Sequence, residues 1–273
     1  MSDFLDQMAN SSKERARIAK ASIPQAALEA KIRALPPAPP LNLSAAGFDV
    51  IAELKLRSPA VGALAPEAAD GKLKVLAYAR GGAAAISVLT EPSRFDGELA
   101  HLEAAHAALA PLKIPAMRKD FLVDSYQLAE ARAAGAGGAL LIVRMLSRPR
   151  LTELLDAAAG YGLFVLLEAF DELDLEAAEE VLSSRPRQQV LVGVNCRDLQ
   201  TLQVVPSRFE RLAPHLPRAW PAVAESGVNS AADARRVKDL GFSVALIGTA
   251  LMRRDDPAAL LEEIFAATRT VHS

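Results

Sequence analysis

The stretch IPAMRKDFLVDSYQLAEARAAG, residues 114–135, contains one complete strand–helix unit. Residues 114–118 are mainly apolar and predict a strand, whereas residues 124–135 carry the Ala, Leu, Glu and Arg pattern of a helix. Between the two, where the strand ends, stand Arg118, Lys119 and Asp120, followed at once by Phe121. The unit therefore joins a buried strand to a charged carboxyl end.

The same alternation of a predicted strand and a predicted helix recurs along most of the chain. Apolar runs predict strands at 49–55, 84–90, 114–118, 138–143, 163–168, 190–195, 221–225 and 243–248. Helical patterns follow them at about 66–80, 97–110, 124–135, 148–161, 171–184, 207–213, 230–239 and 257–269. Near-continuous apolar strands are typical of a parallel sheet that is covered on both faces. We therefore predict an α/β fold, a closed (β/α)8 TIM barrel.

A doubly wound open sheet is the alternative fold. Such a sheet usually has a GxGxxG turn after its first strand, and the sequence KLRSPAVGAL at residues 55–64 does not match that pattern. The closed barrel is therefore the preferred prediction.

An additional segment precedes the first strand. Residues 2–34 have the pattern of one or two amphipathic helices, and LPPAPPLNLS at 35–44 is too rich in proline to be helical. We predict one barrel domain over 1–273, with residues 1–45 as an N-terminal helical extension and connector. Because an amphipathic helix must bury its apolar face, we expect the extension to cover one of the two ends of the barrel, and over the carboxyl ends of the strands it would be a lid. A plug at the bottom of the barrel is the alternative.

Composition excludes several classes of protein. The 273 residues carry a formal net charge of −2 and only 5% aromatic residues, which argues against nucleic acid as a partner. One cysteine, Cys196, and four scattered histidines exclude a disulfide framework and predict no metal site. The charged N-terminus lacks an apolar signal region, and no long apolar stretch predicts a membrane span. We expect a cytoplasmic protein.

Polar residues collect at one end of the predicted strands. In (β/α)8 barrels the active site lies at the carboxyl ends of the strands, and the strand starts of this chain carry almost no ionisable residues. Glu53 and Lys55 are two residues apart and therefore point to the same side, which in a barrel is the lumen. This asymmetry predicts that the carboxyl ends of the strands form a catalytic face. For an individual charged residue, a purely structural ion pair remains the alternative.

The turns after the last two predicted strands suit a phosphate group. The sequences ESGV (225–228) and IGTALM (247–252) place glycine beside Ser or Thr where a strand becomes a helix. Backbone N–H groups at such a joint bind anions, and barrels often hold phosphate after strands 7 and 8. A phosphorylated small molecule is the predicted ligand.

Six segments together resemble one enzyme family. They are IAELKLRSPAVG (51–62), SVLTEPSRFDG (87–97), PAMRKDFLVDSYQL (115–128), VGVNCRDLQTL (192–202), VAESGV (223–228) and LIGTALMR (246–253). In this order they resemble the motifs of indole-3-glycerol phosphate synthase, over about residues 1–268. The resemblance implies a (β/α)8 carbon–carbon lyase of tryptophan biosynthesis that uses no cofactor or metal. It would convert 1-(2-carboxyphenylamino)-1-deoxyribulose 5-phosphate to indole-3-glycerol phosphate, CO2 and water.

The resemblance also implies roles for individual residues. Lys119 is similar to the general acid of ring closure, Glu168 to the second acid–base residue, and Lys55 to a carboxylate-binding or second acid lysine. Glu53 and Asn195 would position these groups and the sugar hydroxyls, and the N-terminal extension would lie near the catalytic mouth as a lid. The remaining candidates are Ser58, Arg197, Glu225 and Ser226 for substrate binding, Phe95, Phe121, Leu199 and Ile247 as apolar walls, and Gly227, Gly248 and Thr249 for phosphate.

Two physical expectations accompany these roles. We expect the pKa values of the two lysines and the glutamate to move toward neutrality in a drying cavity. We interpret Arg118 and Asp120 as structural residues that orient Lys119.

Some residues depart from the family pattern, and other functions stay open. Ala60, Val61 and Cys196 stand where the family usually has other residues, which affects local loop contacts and rate more than the class of reaction. An isomerase or a Schiff-base aldolase on the same kind of barrel is one alternative, and a non-catalytic scaffold is another. We predict a monomer with a phosphorylated small-molecule substrate, and other tryptophan-pathway enzymes are its candidate protein partners.

Overall fold

The computed structural model describes residues 3–45, 47–58, 62–63, 68–183, 185, 189–199 and 201–269. Eight parallel strands pair in chain order, and the last pairs with the first, so that the sheet closes. The strands are β1 (Asp49–Leu54), β2 (Ala85–Leu89), β3 (Ala116–Lys119), β4 (Gly138–Ile142), β5 (Phe164–Ala169), β6 (Val190–Asn195), β7 (Ala222–Glu225) and β8 (Val244–Ile247). The predicted (β/α)8 barrel is therefore confirmed.

Helices alternate with these strands and surround them. They are α1 (Asp3–Ser22), α2 (Gln25–Ala34), α3 (Ala68–Arg80), α4 (Leu99–Leu109), α5 (Ser125–Ala133), α6 (Arg148–Gly160), α7 (Glu172–Ser183), α8 (Ser207–Leu212), α9 (Ala231–Asp239) and α10 (Pro257–Thr268). The bounds predicted from sequence agree with these within two residues wherever the chain is described. The short antiparallel pair Arg57–Ser58 with Gly62–Ala63 and the helical turns Pro92–Phe95 and Thr249–Met252 were not predicted.

Side-chain caps fix where several helices begin. Asp124 accepts the N–H of Tyr126, and the side chain of Gln127 accepts the N–H of Asp124, so a capping box starts α5. Asp256 accepts the N–H groups of Ala258 and Ala259 at the start of α10. The loop after β3 is thus held between a strand end and a capped helix.

Alternate residues of each strand face two different apolar layers. On β5, Val165 and Leu167 pack outward with the helices, whereas Phe164 and Leu166 pack inside the barrel. Glu168 is in phase with the inward set, and therefore its carboxylate lies at the top of the lumen. Apolar side chains fill the lower lumen, so the polar groups at its carboxyl end rest on a closed floor.

The N-terminal extension lies at the carboxyl end of the barrel. Leu5 and Met8 of α1 are buried among the inward-facing side chains of the lumen. Leu28 of α2 packs on Tyr126 and Ala133 of α5. The predicted connector, residues 35–44, contains neither helix nor strand. The apolar face of α1 therefore covers the mouth of the barrel.

No helix in the described parts of the chain has the length and apolar character needed to cross a membrane.

Candidate active site

A lysine and two glutamates from alternate strands converge at the carboxyl end of the lumen. Lys119 Nζ, at the end of β3, lies 3.1 Å from Glu168 Oε2 on β5 and 3.8 Å from Glu225 Oε2 on β7. The three side chains are 15%, 3% and 1% exposed. The closed sheet thus assembles one charged cluster from residues far apart in the chain.

The pKa of Lys119 moves away from neutrality, which corrects the expectation from sequence. Burial alone would lower the pKa of this ammonium group. The negative charges of Glu168, Glu225 and Glu53 outweigh burial and raise the pKa above its usual value. Lys119 is therefore protonated and able to donate throughout the neutral range.

Glu225 is the carboxyl group that shifts toward neutrality. Burial, together with the negative charge of Glu168, raises its pKa well above the ordinary value, and the charge of Lys119 only partly opposes this. Within the described residues, no N–H or hydroxyl group donates to either oxygen of Glu225, and a hydrogen bond between the Glu225 and Glu168 carboxyl groups also raises its pKa. The site therefore contains the Lys119–Glu168 ion pair beside a second carboxyl group, Glu225, whose pKa is raised.

A second ion pair lies at the carboxyl end of β1. Lys55 Nζ lies 2.9 Å from Glu53 Oε1, and both side chains are buried, as their spacing predicts. Burial favours the neutral form of Glu53, but the charges of Lys55 and Lys119 outweigh it and lower the pKa of the carboxyl group. Gly248 leaves room for this pair, since a Cβ there would overlap Glu53 Oε1 and lie 3.1 Å from Lys55 Nζ.

Asn195, at the end of β6, connects the cluster to two loops. Its Nδ2 donates to Glu168 Oε1 over 3.1 Å, which orients the carboxylate that also accepts from Lys119. Its Oδ1 accepts the Ser226 hydroxyl and the Arg197 backbone N–H, each over 2.9 Å. Ser226 has a φ of 65°, a left-handed conformation that is uncommon for serine and turns the chain sharply after β7.

An aromatic wall faces these polar groups. The rings of Phe95 and Phe121 lie 6.4 Å apart, and Phe4 of α1 packs edge-on against Phe121 at 5.8 Å. With Leu199 they line a cavity at the carboxyl end of the lumen, which the charged side chains also line. One side of the cavity is thus apolar and the other is charged.

The same cavity brings most of the predicted residues together. Its lining includes ten of them, Glu53, Lys55, Phe95, Lys119, Phe121, Glu168, Asn195, Arg197, Leu199 and Ser226. It also includes residues that were not predicted as site residues: Phe4, Leu5, Leu89, Asp120, Leu140, Ile142, Phe170 and Leu202. The alternation of side chains along a strand could have identified Phe170 and Ile142 as site residues. Phe170 follows Glu168 by two residues and so points to the same side, and Ile142 is the last residue of β4.

Some predicted residues lie elsewhere. Ile247 faces the surrounding helices, because Leu246 takes the inward position on β8, so the expectation that Ile247 forms a wall of the site is wrong. Gly227, Gly248 and Thr249 are at the turns after β7 and β8 and do not line the cavity. The side chain of Ser58 and the residues Ala60 and Val61 lie outside the described parts of the chain.

Cys196 follows Asn195 but belongs to the outer core. Its side chain is fully buried, and burial raises the pKa of the thiol to about 12. Among the described residues, no group of three or more His, Cys, Asp and Glu side chains is arranged to hold a metal ion.

This fold and site define a (β/α)8 barrel enzyme that carries acid–base groups at the carboxyl ends of its strands. The family model of indole-3-glycerol phosphate synthase matches residues 5–264. The chain therefore belongs to the indole-3-glycerol phosphate synthase family, and the predicted enzyme class, a carbon–carbon lyase, is confirmed with it.

Several named relatives are similar in sequence to this protein over most of its length. A protein of a Nocardioides species, called indole-3-glycerol phosphate synthase, is 46% identical over 223 residues, covering 81% of this chain and 82% of its own. The protein of that name from Mycolicibacterium smegmatis is 42% identical over 243 residues, covering 88% and 86%. The one from Mycobacterium tuberculosis is 40% identical over 252 residues, covering 91% and 88%.

A solved structure with a different name supports the fold alone. 3-Hexulose-6-phosphate synthase from Salmonella typhimurium superposes with a TM-score of 0.61 at 15% identity, covering 81% of this chain and 98% of its own. At this identity the likeness indicates the barrel and gives no information about the reaction.

Proposed function

We propose that this protein converts 1-(2-carboxyphenylamino)-1-deoxyribulose 5-phosphate to indole-3-glycerol phosphate, CO2 and water. The observation that carries the proposal is the 3.1 Å contact between Lys119 Nζ and Glu168 Oε2 in a cavity with an aromatic wall. The pair supplies an acid and a base within reach of one small molecule. The wall of Phe95 and Phe121 suits the carboxyphenyl ring.

The chemistry requires proton transfer at two positions of the substrate. A ring carbon attacks the ketone carbon, the carboxylate leaves as CO2, and the former ketone oxygen departs as water with two protons. In this proposal Lys119 donates the first proton to that oxygen during ring closure, and the second proton comes from solvent when water leaves. Glu168 removes a proton from the carbon next to the nitrogen. The raised pKa of Lys119 keeps it protonated until the substrate oxygen receives the proton.

The remaining polar residues have supporting roles in the proposal. Lys55 holds the substrate carboxylate before CO2 leaves, and Glu53 holds Lys55 through their 2.9 Å contact. Asn195 fixes the Glu168 carboxylate. Arg197 and Ser226 line the cavity and bind the substrate's polar groups.

The phosphate is proposed to bind above β7 and β8. Ser226 and Gly227 both have left-handed backbone conformations, with φ values of 65° and 79°, and they turn the chain where β7 ends. Gly248 precedes the helical turn Thr249–Met252. N–H groups at two adjacent turns can together coordinate one phosphate.

The test is an indole-fluorescence assay of the purified chain with this substrate. The expected result is saturable formation of the indole product, and Lys119→Ala should lower kcat by about 10² or more. Lys31→Ala, on the exposed side of α2, is the matched control and should keep the parent's kcat. No product from the parent, or Lys119→Ala within threefold of the parent, would contradict the proposal.

Borohydride treatment in the presence of substrate separates the aldolase alternative. A Schiff-base enzyme becomes covalently labelled on a lysine, and the mechanism proposed for Lys119 predicts no labelling. Saturable turnover excludes the non-catalytic scaffold. The role in tryptophan biosynthesis follows from the reaction, whereas the single domain, the monomeric state, the cytoplasmic location and the lack of a cofactor stay predictions.

A further inference from the structure

Asp120, the residue after Lys119, is held by a dense set of donors. Arg15 of α1 makes two parallel hydrogen bonds to it, from Nη2 to Oδ1 over 2.7 Å and from Nη1 to Oδ2 over 2.9 Å. Thr90 Oγ1 donates to it over 2.8 Å and Arg118 Nη2 over 3.3 Å. Its Oδ1 also accepts the Phe121 N–H over 2.8 Å. This buried carboxylate thus depends on two guanidinium groups, one of which comes from the N-terminal extension.

The end of β3 is held by only one neighbouring strand. On the β2 side the strand pairing extends to Leu89 and Lys119, and the Thr90 N–H donates to the Lys119 carbonyl over 3.1 Å. On the β4 side the pairing ends one residue earlier, at Arg118 and Ala139. The side-chain contacts of Asp120 therefore hold the backbone of Lys119 where the sheet does not.

We propose that Arg15 is a positioning residue for the reaction. By holding Asp120 in place, Arg15 keeps the backbone of Lys119 where its Nζ reaches Glu168. The inference rests on the proposed function, because it assumes that Lys119 is the acid. It gives α1 a second role: the helix covers the cavity with Phe4 and Leu5, and it also sets the geometry of the acid.

A second ion pair on the same helix provides a matched control. Lys20 Nζ lies 2.7 Å from the side chain of Asp124, which belongs to the same strand–helix unit as Asp120. Lys20 is 45% exposed, whereas Arg15 is 25% exposed and binds a carboxylate that is fully buried. Asp124 caps α5 and does not adjoin Lys119. Both pairs fasten α1 to the barrel, but only the Arg15 pair lies beside the acid.

The experiment compares the full-length parent with Arg15→Ala, Arg15→Lys and Lys20→Ala. Steady-state kinetics on the carboxyphenylamino deoxyribulose phosphate would be measured from about pH 6 to pH 11, so that the onset of the alkaline loss of kcat can be compared between the variants. For Arg15→Ala we expect kcat to fall about tenfold or more with KM within about threefold, since a shift of 1 Å at a catalytic group can cost that much. Arg15→Lys retains the charge but not the two parallel hydrogen bonds, so its kcat should lie between that of the parent and that of Arg15→Ala. Lys20→Ala should stay within about twofold of the parent.

The pH dependence of kcat distinguishes displacement of Lys119 from a general loosening of α1. Glu168, Glu225 and Glu53 face Lys119 from three strands and keep it protonated at high pH. If Lys119 moves away from Glu168, it loses its proton more easily, so the alkaline limb of kcat should shift to lower pH in Arg15→Ala. In Lys20→Ala the limb should not move. Equal losses in Arg15→Ala and Lys20→Ala with no shift would overturn the inference.

Amide hydrogen exchange tests the same contact without the reaction. The N–H groups of Thr90 and Phe121 bond to Lys119 and Asp120, so they should exchange at least about tenfold faster in Arg15→Ala than in Lys20→Ala. Unchanged exchange would contradict the positioning role even if activity fell. An inactive parent would contradict the proposed function instead, and the exchange result would still decide whether Arg15 holds the end of β3.

Discussion

A Cβ atom on Gly193 would overlap Oε1 of Glu225, the carboxyl group on the neighbouring strand. Gly193 lies inside β6, and its missing side chain leaves the space that the Glu225 carboxyl group occupies. The same added atom would come within 3.0 Å of Leu166 Cδ1, so the floor of the lumen offers no room for adjustment. The position of Glu225 is therefore set by a glycine on the next strand.

Gly193→Ala should displace Glu225 and lower kcat by about tenfold or more, because small movements of catalytic groups are costly. Overpacking should also reduce the free energy of unfolding by about 1–3 kcal/mol. Gly160→Ala is the control: Gly160 ends α6, has nothing within 4 Å of an added Cβ, and should be neutral or slightly stabilising. Kinetics and urea melts check both effects. A fully active Gly193→Ala variant would show that Glu225 tolerates displacement.

Glu168→Gln should lower kcat by about 10² or more with a modest change in KM. The amide retains the shape of the side chain but cannot accept a proton in the reaction. Glu176→Gln, on the exposed side of α7, serves as the control and should match the parent. A collapse of substrate affinity with kcat unchanged would mean that Glu168 binds substrate and does not transfer protons.

Glu225→Gln should become more stable relative to the parent as pH rises. The pKa of Glu225 is higher in the folded protein than in the unfolded protein. Its carboxyl group therefore contributes stability at low pH, where it is protonated in both the folded and the unfolded protein, and this contribution is lost as pH rises through the folded-state pKa. Glutamine resembles the protonated form at every pH. The difference in melting temperature between variant and parent should therefore be smallest below the ordinary value of 4.5 and grow above it. A difference independent of pH would argue against a raised pKa.

Deleting residues 1–34 should leave a folded barrel with weaker substrate binding and lower activity. The deletion removes Phe4 and Leu5 from the cavity and Arg15 from Asp120. Within the full chain, Phe4→Ala should raise KM, whereas Ile18→Ala, which is 55% exposed on the same helix, should not. Circular dichroism melting beside steady-state kinetics makes the distinction. Unchanged kinetic constants with a large loss of melting temperature would indicate a structural plug.

Crystals grown in sulfate should contain an anion between the turn at Ser226–Gly227 and the turn at Gly248–Thr249. The backbone N–H groups of these turns are the expected ligands. Replacing Gly227 should weaken inhibition by inorganic phosphate, because its φ of 79° suits glycine and an added Cβ would lie 2.8 Å from Val204 Cγ1. An anion bound only elsewhere in the crystal would count against this phosphate site.

The sequence predicted those parts of the site that depend on strand phase and strand ends. Glu53, Lys119 and Glu168 are in phase with the lumen, and a one-residue error in phase explains why Ile247 was wrongly placed. The direction of the Lys119 pKa could not be predicted, because it depends on three carboxyl groups that approach it only when the sheet closes. The contribution of Phe4 was likewise hidden, because helical periodicity identifies an apolar face but not the surface that covers it.

The contacts between α1 and residues 120–127 also bear on the order in which the chain is made. Arg15 and Asp120 are 105 residues apart, and Ser12 and Gln127 are 115 residues apart. The helix therefore leaves the ribosome long before its partners, and its apolar face stays uncovered while more than a third of the protein is synthesised. Docking of the helix is a non-local event that waits for the third strand–helix unit, so slow elongation before residue 135 prolongs the interval in which a nascent chain exposes Leu5 and Met8 to aggregation or to chaperones.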